Sequence, residues 1–323
     1  MRLATFNIEN LDLPPKAHMP LEVRAAVLRP VLERLEADVL CLQEVNGQHV
    51  PGERGRRLVA LARLLEGTRY EGLARSATSG PAGRGVADVH NLVTLSRLPI
   101  LRTMEVQHQR VPPLVHEPIT AEGEKKPEPV RFDRPLLVTT LDAGGGRVLH
   151  VVNCHLRAPI ASAVAGQKAG PFTWRSIGGW AEGYYLSALK RTGQALELRL
   201  TVDDLLAGAA EPLGAVAGDF NAEDHEMPVR IVVAAEEDTG NGELAADQMV
   251  PLDRALPQDR RWSVLHHGRP QMLDHVLVSR ALYGRFRAIE VHNEALGDEA
   301  LAYGKRLRSP ASYHAPVVVE LDL

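Results

Sequence analysis

The chain has 323 residues, 45% of them hydrophobic, with a formal net charge of −4 and a pI near 6.4. That length accommodates a large α/β domain, and no run approaches the ~18 consecutive apolar residues of a membrane-spanning helix. The acidic balance disfavours a protein that coats long duplexes, which carries a basic excess, and leaves small phosphoesters or transient nucleic-acid contact open.

Met1–Asn7 enter a strand-like pattern at once, without the apolar region and small-residue cleavage site of a signal peptide. Cys41 and Cys154 sit inside apolar runs, which favours buried thiols over a disulfide framework. A cytoplasmic protein is expected.

Residues 2–8 read as a first strand with Asn7 near its end. Leu21, Ala25, Leu28, Leu32 and Leu35 then recur at helical spacing, and Pro30 predicts a kink or a later start. Residues 38–44 form a buried strand ending in Glu44, and Leu58, Leu61 and Leu65 mark a second helix. Ser76–Gly85 reads as a loop and Asn91–Ser96 as a strand. Residues 111–135 hold six prolines and no periodicity, which predicts a long surface excursion. Leu136–Leu141 and Val148–Asn153 read as paired strands around an Asp142–Gly146 turn, and the second continues to His155. Leu189, Gly193, Leu196 and Leu200 line another helix, followed by the strand Leu213–Ala217 and then Gly218-Asp219-Phe220-Asn221. Met272–Ser279 and Ser312–Val319 contain the last strands. No repeat or long linker divides the chain, so one domain spanning 1–323 is expected, with loop insertions near 104–134 and 157–187.

Asn7, Glu44, His155, Asp219, Asn221, Asp274 and His314 each lie at or beside a strand end. Strand ends are polar in any fold, and an Asx turn would use Asp219 and Asn221 equally well. In extended backbone, however, those two side chains point the same way. The set supplies carboxylates for a hard cation, two histidines and two amides, the inventory of metal-assisted phosphoester hydrolysis. Zinc fits less well, because no His-Glu-x-x-His helix or paired Cys-x-x-Cys is present. Phosphate-loop, Rossmann and Gly-x-Ser-x-Gly patterns are absent too.

Seven segments occur in one order: Thr5-Phe6-Asn7-Ile8-Glu9-Asn10, Leu42-Gln43-Glu44-Val45, Leu95-Ser96-Arg97-Leu98-Pro99-Ile100, Asn153-Cys154-His155-Leu156, Gly218-Asp219-Phe220-Asn221, Leu273-Asp274-His275-Val276 and Ser312-Tyr313-His314-Ala315-Pro316-Val317. In these the chain resembles the endonuclease/exonuclease/phosphatase superfamily, which includes pancreatic-type deoxyribonucleases, abasic-site endonucleases, sphingomyelinases and inositol polyphosphate phosphatases. The resemblance implies an α/β fold of two packed mixed β-sheets flanked by helices, a four-layer α/β/β/α sandwich. It implies a divalent metal, Mg²⁺ with Mn²⁺ as a substitute, at Glu44 with Asn7 close by. Asp219 would position or deprotonate the attacking water, Asn221 would bond the phosphoryl group, and His155 a non-bridging oxygen. His314, oriented by Asp274, would meet the charge developing on phosphorus. Where the family usually has Asp before the terminal His, this chain has Tyr313, which implies a one-metal site or compensation by a carboxylate such as Glu9.

Five of the chain's fourteen aromatic residues fall within 172–185, interleaved with Lys168 and Arg175, a composition suited to base stacking or to a loop pinned by its own hydrophobic cluster. Trp174, Arg175 and Arg157 are therefore candidate substrate-binding residues, with Arg134 at the end of the proline-rich excursion and Asn91 before its strand. The expected function is a metal-dependent phosphodiester hydrolase, a nuclease acting on nucleic acid. The alternatives are a phosphatase or phosphodiesterase for a small soluble or lipid-headgroup phosphoester, and a non-catalytic binding module. No protein partner is predicted.

Overall fold

The computed structural model describes residues 1–17, 19–80, 83–123, 125–300 and 309–323. Pro81 and Ala82 of the expected Ser76–Gly85 loop, and Glu124 of the excursion, lie outside them.

Two six-stranded sheets stack face to face. The first contains β1 (Arg2–Leu11), β2 (Val39–Val45), β3 (Ala74–Ala77) and β4 (Asn91–Ser96). The second contains β5 (Ile100–Val106), β6 (Leu136–Asp142), β7 (Val148–His155), β8 (Leu213–Asp219), β9 (Met249–Pro251) and β10 (Asp274–Ser279). The chain then returns to the first sheet through β11 (Phe286–Val291) and β12 (Val317–Leu321). The strand orders are β11-β12-β1-β2-β4-β3 and β9-β10-β8-β7-β6-β5. In each, one central pair is parallel, β1 with β2 and β7 with β8, and its neighbours are antiparallel.

Helices cover both outer faces. α1 (Leu21–Leu35) and α2 (Val59–Leu65) pack Leu28, Leu32 and Leu61 on the first sheet's outer residues, Ala4, Phe6, Leu40 and Leu42. α3 (Ile177–Leu206) and α4 (Met227–Val233) pack Leu198, Val202 and Val229 on the second sheet's Val152, Cys154 and Val216. Between the sheets lie Leu3, Val39, Cys41, Leu149, Val151, Ala215, Ala217, Val276 and Val278. Strand alternation explains the partition, since successive residues face opposite sides and both faces of each sheet are covered. The expected four-layer sandwich is the observed architecture, and both cysteines are free and buried.

Several local expectations need correction. Pro30 sits inside one continuous α1 that begins at Leu21, so the later start does not occur. Ser76 and Ala77 belong to β3, residues 104–106 end β5, and Leu114–His116 pairs with Glu128–Val130 inside the excursion. α3 begins at Ile177, well inside the stretch expected to be loop, and its Leu196 and Leu200 are exposed. Its buried face is Gln194, Ala195, Leu198 and Val202, because the surface it meets is β7 and β8 rather than another leucine stripe.

Candidate active site

Alternation aims four of the strand-end residues at the space between the sheets. Leu3, Thr5 and Asn7 share one face of β1, and Leu149, Val151, Asn153 and His155 share one face of β7. Register aligns the ends: His155 is opposite Asp219, and Asp219 is opposite Asp274. Below them Gln43 Nε2 donates to Asn153 Oδ1 at 2.8 Å, and Asn153 Nδ2 donates to the carbonyls of Leu42 and Val93 at 3.1 Å each. This buried polar seam closes the floor.

Glu44 breaks the alternation. Leu40 and Leu42 face the helices, and a continued strand would send Glu44 the same way. Its backbone is left-handed instead (φ 60°), and the pairing of β2 with both neighbours shifts register at this level. Such bulges re-aim side chains. Glu9, Asn10, His90 and Asn221, all around the same cleft, also have positive φ. Non-glycine residues in that region carry strain that the surrounding structure must hold, and the strain collects at functional sites.

Asn7 joins the two sheets: Nδ2 lies 3.0 Å from Asp219 Oδ2 and 3.4 Å from Glu44 Oε1. Its Oδ1 accepts from Glu9 N, and its carbonyl accepts from Ser312 Oγ at 2.7 Å. His314 Nδ1 bonds Asp274 Oδ2 at 2.8 Å, and Ser263 Oγ donates to that same oxygen at 2.7 Å. His314 Nε2 stands 4.0 Å from Asp219 Oδ2. Burial, and next the Asp274 carboxylate, push Asp219 up to about 7, against the pull of His314. Burial would lower His314, but Asp274 and Asp219 outweigh it and hold the ring well above its ordinary value. The arrangement is a poised carboxylate facing an imidazolium.

His155 is the opposite case. Burial first, then Arg134, His90 and His314, hold it well below the ordinary histidine range. Arg134 donates to Nδ1, so the ring's proton sits on Nε2, which faces Asp219 Oδ2 at 3.4 Å and Glu44 Oε1 at 3.9 Å. The half-buried Arg134 guanidinium is compensated by Glu44, Asp133 and Asp219.

Two donor sets could hold a cation. One atom from each of Asp219, Asp274 and His314 lies within 4.8 Å of the others. There, however, Asp274 Oδ2 already bonds His314 and Ser263, and a ring held in its charged form is no ligand. Glu44 fits better. Its Oε2 accepts Asn10 N at 3.0 Å, while Oε1 has, among the described residues, only the long contacts to Asn7 and His155. A carboxylate with one oxygen held only by such long contacts, beside an amide, suits a hard divalent ion that keeps several waters.

Not every expected residue joins this cluster. β8 ends at Asp219, so the extended-backbone reason for Asn221 fails. The link is an Asx turn, Asn221 N donating to Asp219 Oδ1 at 2.8 Å, and one amide hydrogen goes to the Leu156 carbonyl. Asn91 is fully buried and spent on structure, accepting from Thr78 Oγ1 and Ala87 N and donating to the carbonyls of Val45 and Ala87. Arg157 donates to Ser187 Oγ and the Ile160 carbonyl and pairs with Asp133, bracing the wall beside Arg134. Trp174 and Arg175 lie against the amino-terminal part of α3, near Gly183 and Glu122. Gly183 is eight residues, about 12 Å, from Arg191, which reaches the Asn221 carbonyl. Glu9 Oε2 accepts Tyr313 N at 3.1 Å, placing a carboxylate beside the residue that precedes His314.

Sequence reasoning missed Arg24. From the buried face of α1 it donates to the carbonyls of Ile8, Glu9 and Pro310 and clamps the irregular end of β1. A charge within the Leu21, Ala25, Leu28 stripe was the available signal. His90, which sits just before its strand where a cleft-facing residue is expected, bonds Asn10 Oδ1 through Nε2 at 2.9 Å.

Comparisons with known proteins agree on the fold. No curated sequence matches. Among solved structures, the 3′ phosphatase NExo from Neisseria bound to product DNA hairpin is 14% identical with a TM-score of 0.55, over 100% of both chains. A mannosyl-6-phosphatase from Bacteroides thetaiotaomicron is 14% identical with a TM-score of 0.58, again over 100% of both. The human Nocturnin catalytic domain with bound sulfate anion is 18% identical with a TM-score of 0.53, covering 100% of this chain and 94% of that one. The model of the Endonuclease/Exonuclease/phosphatase family matches residues 4–295. With the family's motifs meeting between two sheets at one cleft, the chain belongs to the endonuclease/exonuclease/phosphatase family.

Proposed function

We propose that the chain is a single-domain, cytoplasmic, divalent-metal-dependent phosphodiester hydrolase that cleaves nucleic acid by in-line attack of water. The observation that carries this reading is Asp219, pushed up to about 7 and facing the His314 imidazolium that Asp274 holds. A carboxylate near neutrality is a competent base for water, and a neighbouring cation stabilises charge developing on phosphorus. Asp219 aims and deprotonates the water. His314 donates toward the phosphoryl oxygens, and His155 offers its Nε2 proton to a non-bridging oxygen. Arg134 fixes the His155 tautomer and adds charge to the same wall. Asn221 holds the backbone turn that orients Asp219. Bound at Glu44 beside Asn7, Mg²⁺, or Mn²⁺ as a substitute, would neutralise charge on the phosphate. Glu9, whose carboxylate accepts Tyr313 N, is the residue that compensates for the family's missing Asp in this reading.

The DNA hairpin on the Neisseria phosphatase supports a nucleic-acid substrate. A second reading, hydrolysis of a small phosphoester, is favoured by the net charge of −4 and by the sugar-phosphatase relative. A panel of single-stranded DNA, duplex DNA, RNA, bis-p-nitrophenyl phosphate and inositol phosphates, with and without EDTA, separates the two. The metal assignment predicts that Glu44→Gln weakens Mn²⁺ binding by at least ~10-fold in calorimetry. Activity that persists in EDTA and in Asp219→Asn would refute the mechanism.

A further inference from the structure

The amino-terminal part of α3 is built inside out. Its buried positions are Gly179, Glu182, Gly183 and Ser187, small or polar, while Ile177, Trp180 and Tyr184 face solvent at 85%, 45% and 41% exposure. Spacings of three and four put those three on one stripe. Trp180 and Tyr184 stack on one another with ring centroids 5.4 Å apart, and Trp174, with Lys168 Nζ 4.3 Å above its ring, packs beside Gly183. Phe172, two residues before Trp174, is 93% exposed, so Trp174 rather than Phe172 holds this hairpin on the helix. Ordinary helices bury such residues, and an outward aromatic stripe marks a binding surface.

Residue type identifies the occupant. Arg157 and Lys190 pair with Asp133, Arg175 with Glu122 and Arg191 with Glu226, and the segment's one acid, Glu182, is buried and consumed by Thr120, His116 and the Ile119 and Thr120 amides. With these pairs made, the cations beside the stripe are Lys168, over the Trp174 ring, and the exposed Arg175, and aromatic faces with flanking cations suit the bases and phosphates of a nucleic acid. The stripe is also continuous with the cleft. Arg191 reaches the Asn221 carbonyl, and Gln194 holds Arg157 N and contacts the Arg134 carbonyl. Trp180 lies eleven residues, about 16 Å, further out along the same helix.

We infer that Ile177, Trp180 and Tyr184, flanked by Lys168 and Arg175, form a stacking track for unpaired bases of a single-stranded nucleic acid whose phosphodiester lies at Asp219. The inference rests on the nuclease reading and assigns its substrate as single-stranded. Aromatic faces accept any base, and the adjacent cations meet the backbone.

The test measures fluorescence anisotropy of a labelled oligothymidine of about twelve nucleotides on full-length protein carrying Asp219→Asn, which leaves the ligand uncleaved. Adding Trp180→Ala and Tyr184→Ala weakens binding by at least ~10-fold and flattens the preference for single over double strand. Both side chains are exposed, so an unchanged melting temperature certifies the fold. Oligothymidine affinity that stays within twofold refutes the track. So does loss of binding to phosphatidylserine vesicles, or of a dimer in light scattering, with oligonucleotide affinity retained. A wild-type protein that hydrolyses bis-p-nitrophenyl phosphate but neither binds nor cleaves nucleic acid refutes the nuclease reading itself. Cleavage of single strands at equal KM by wild type and double variant refutes the track alone.

Discussion

Replacing Asp274 by Asn isolates the electrostatic half of the dyad. The isostere still accepts from Ser263 Oγ and His314 Nδ1, and Asp274 Oδ1, which has no hydrogen-bond partner among the described residues, becomes the site of the new amide. What disappears is one negative charge 2.8 Å from the ring nitrogen. With charge centres about 4 Å apart and an effective dielectric constant near 20, that charge is worth about 4 kcal/mol. Burial still opposes the charged ring, with Asp219 and Glu44 left to offset it, so His314 falls from its raised value. The activity limb that requires the imidazolium then moves toward acid, and kcat/KM at pH 8 falls about 10²–10³-fold. Rates on bis-p-nitrophenyl phosphate from pH 5 to 10 measure both effects. An unmoved alkaline limb, or a loss equal at every pH, would refute the argument and leave Asp274 a packing residue.

Asp219→Asn lowers turnover by about 10²–10⁴-fold, yet raises metal-free stability. The folded carboxyl value, about 7 against an ordinary 3.8, means the cost of burial is absent below pH ~4, grows as pH rises, and is complete above 7. Roughly 3 units at ~1.4 kcal/mol each, a net shift in which the attraction to His314 is already counted, gives up to about 4 kcal/mol gained at pH 8 in urea melts with EDTA. Equal stability at pH 8 would contradict the strained carboxylate. Glu182 has the opposite sign. Burial would raise it, but hydrogen bonds from Thr120, His116 and two backbone amides bring it down to about 2, so its stabilisation is full above ~4.5 and lost as pH falls toward 2. Glu182→Gln therefore costs up to about 3 kcal/mol at pH 7, and the gap to wild type closes near pH 2–3 in the same melts. Asn91→Ala leaves four buried hydrogen bonds unmade and destabilises by about 3 kcal/mol. KM for each substrate moves by less than about twofold, and a selective rise would restore Asn91 as a substrate contact.

Where each site residue would point was legible only when the strand stayed regular. Period-two alternation from Leu3, Leu149, Ala215 and Val276 delivers Asn7, His155, Asp219 and Asp274 to the inner face without reference to any relative. The same rule sends Glu44 and Asn221 astray, because their left-handed backbones depend on bulges and turns fixed by distant partners such as Asn10 and Leu156. α3 was misread for a related cause. Leucine periodicity reports an apolar face, but this helix buries Gln194, Glu197 and Arg199 and leaves Leu196 and Leu200 in water. Its buried acids cap loops: Glu197 accepts the amides of His108, Gln109 and Arg110. One helix organising two insertions by hydrogen bonds leaves no hydrophobic trace in the sequence.

Asn7 touches Glu44 on its own sheet and Asp219 on the other, and the carboxylate proposed to activate water is therefore registered against the one proposed to bind the cation through a single amide. Turnover thus doubles as a gauge of interlayer spacing. Replacing Val151 or Val276 by Ala, four and two residues below His155 and Asp274 in the seam, lets the layers settle and tilts that amide. Displacements near 1 Å cost reactions about 10²-fold. Catalysis in this protein will report creep between the sheets before any melting curve does.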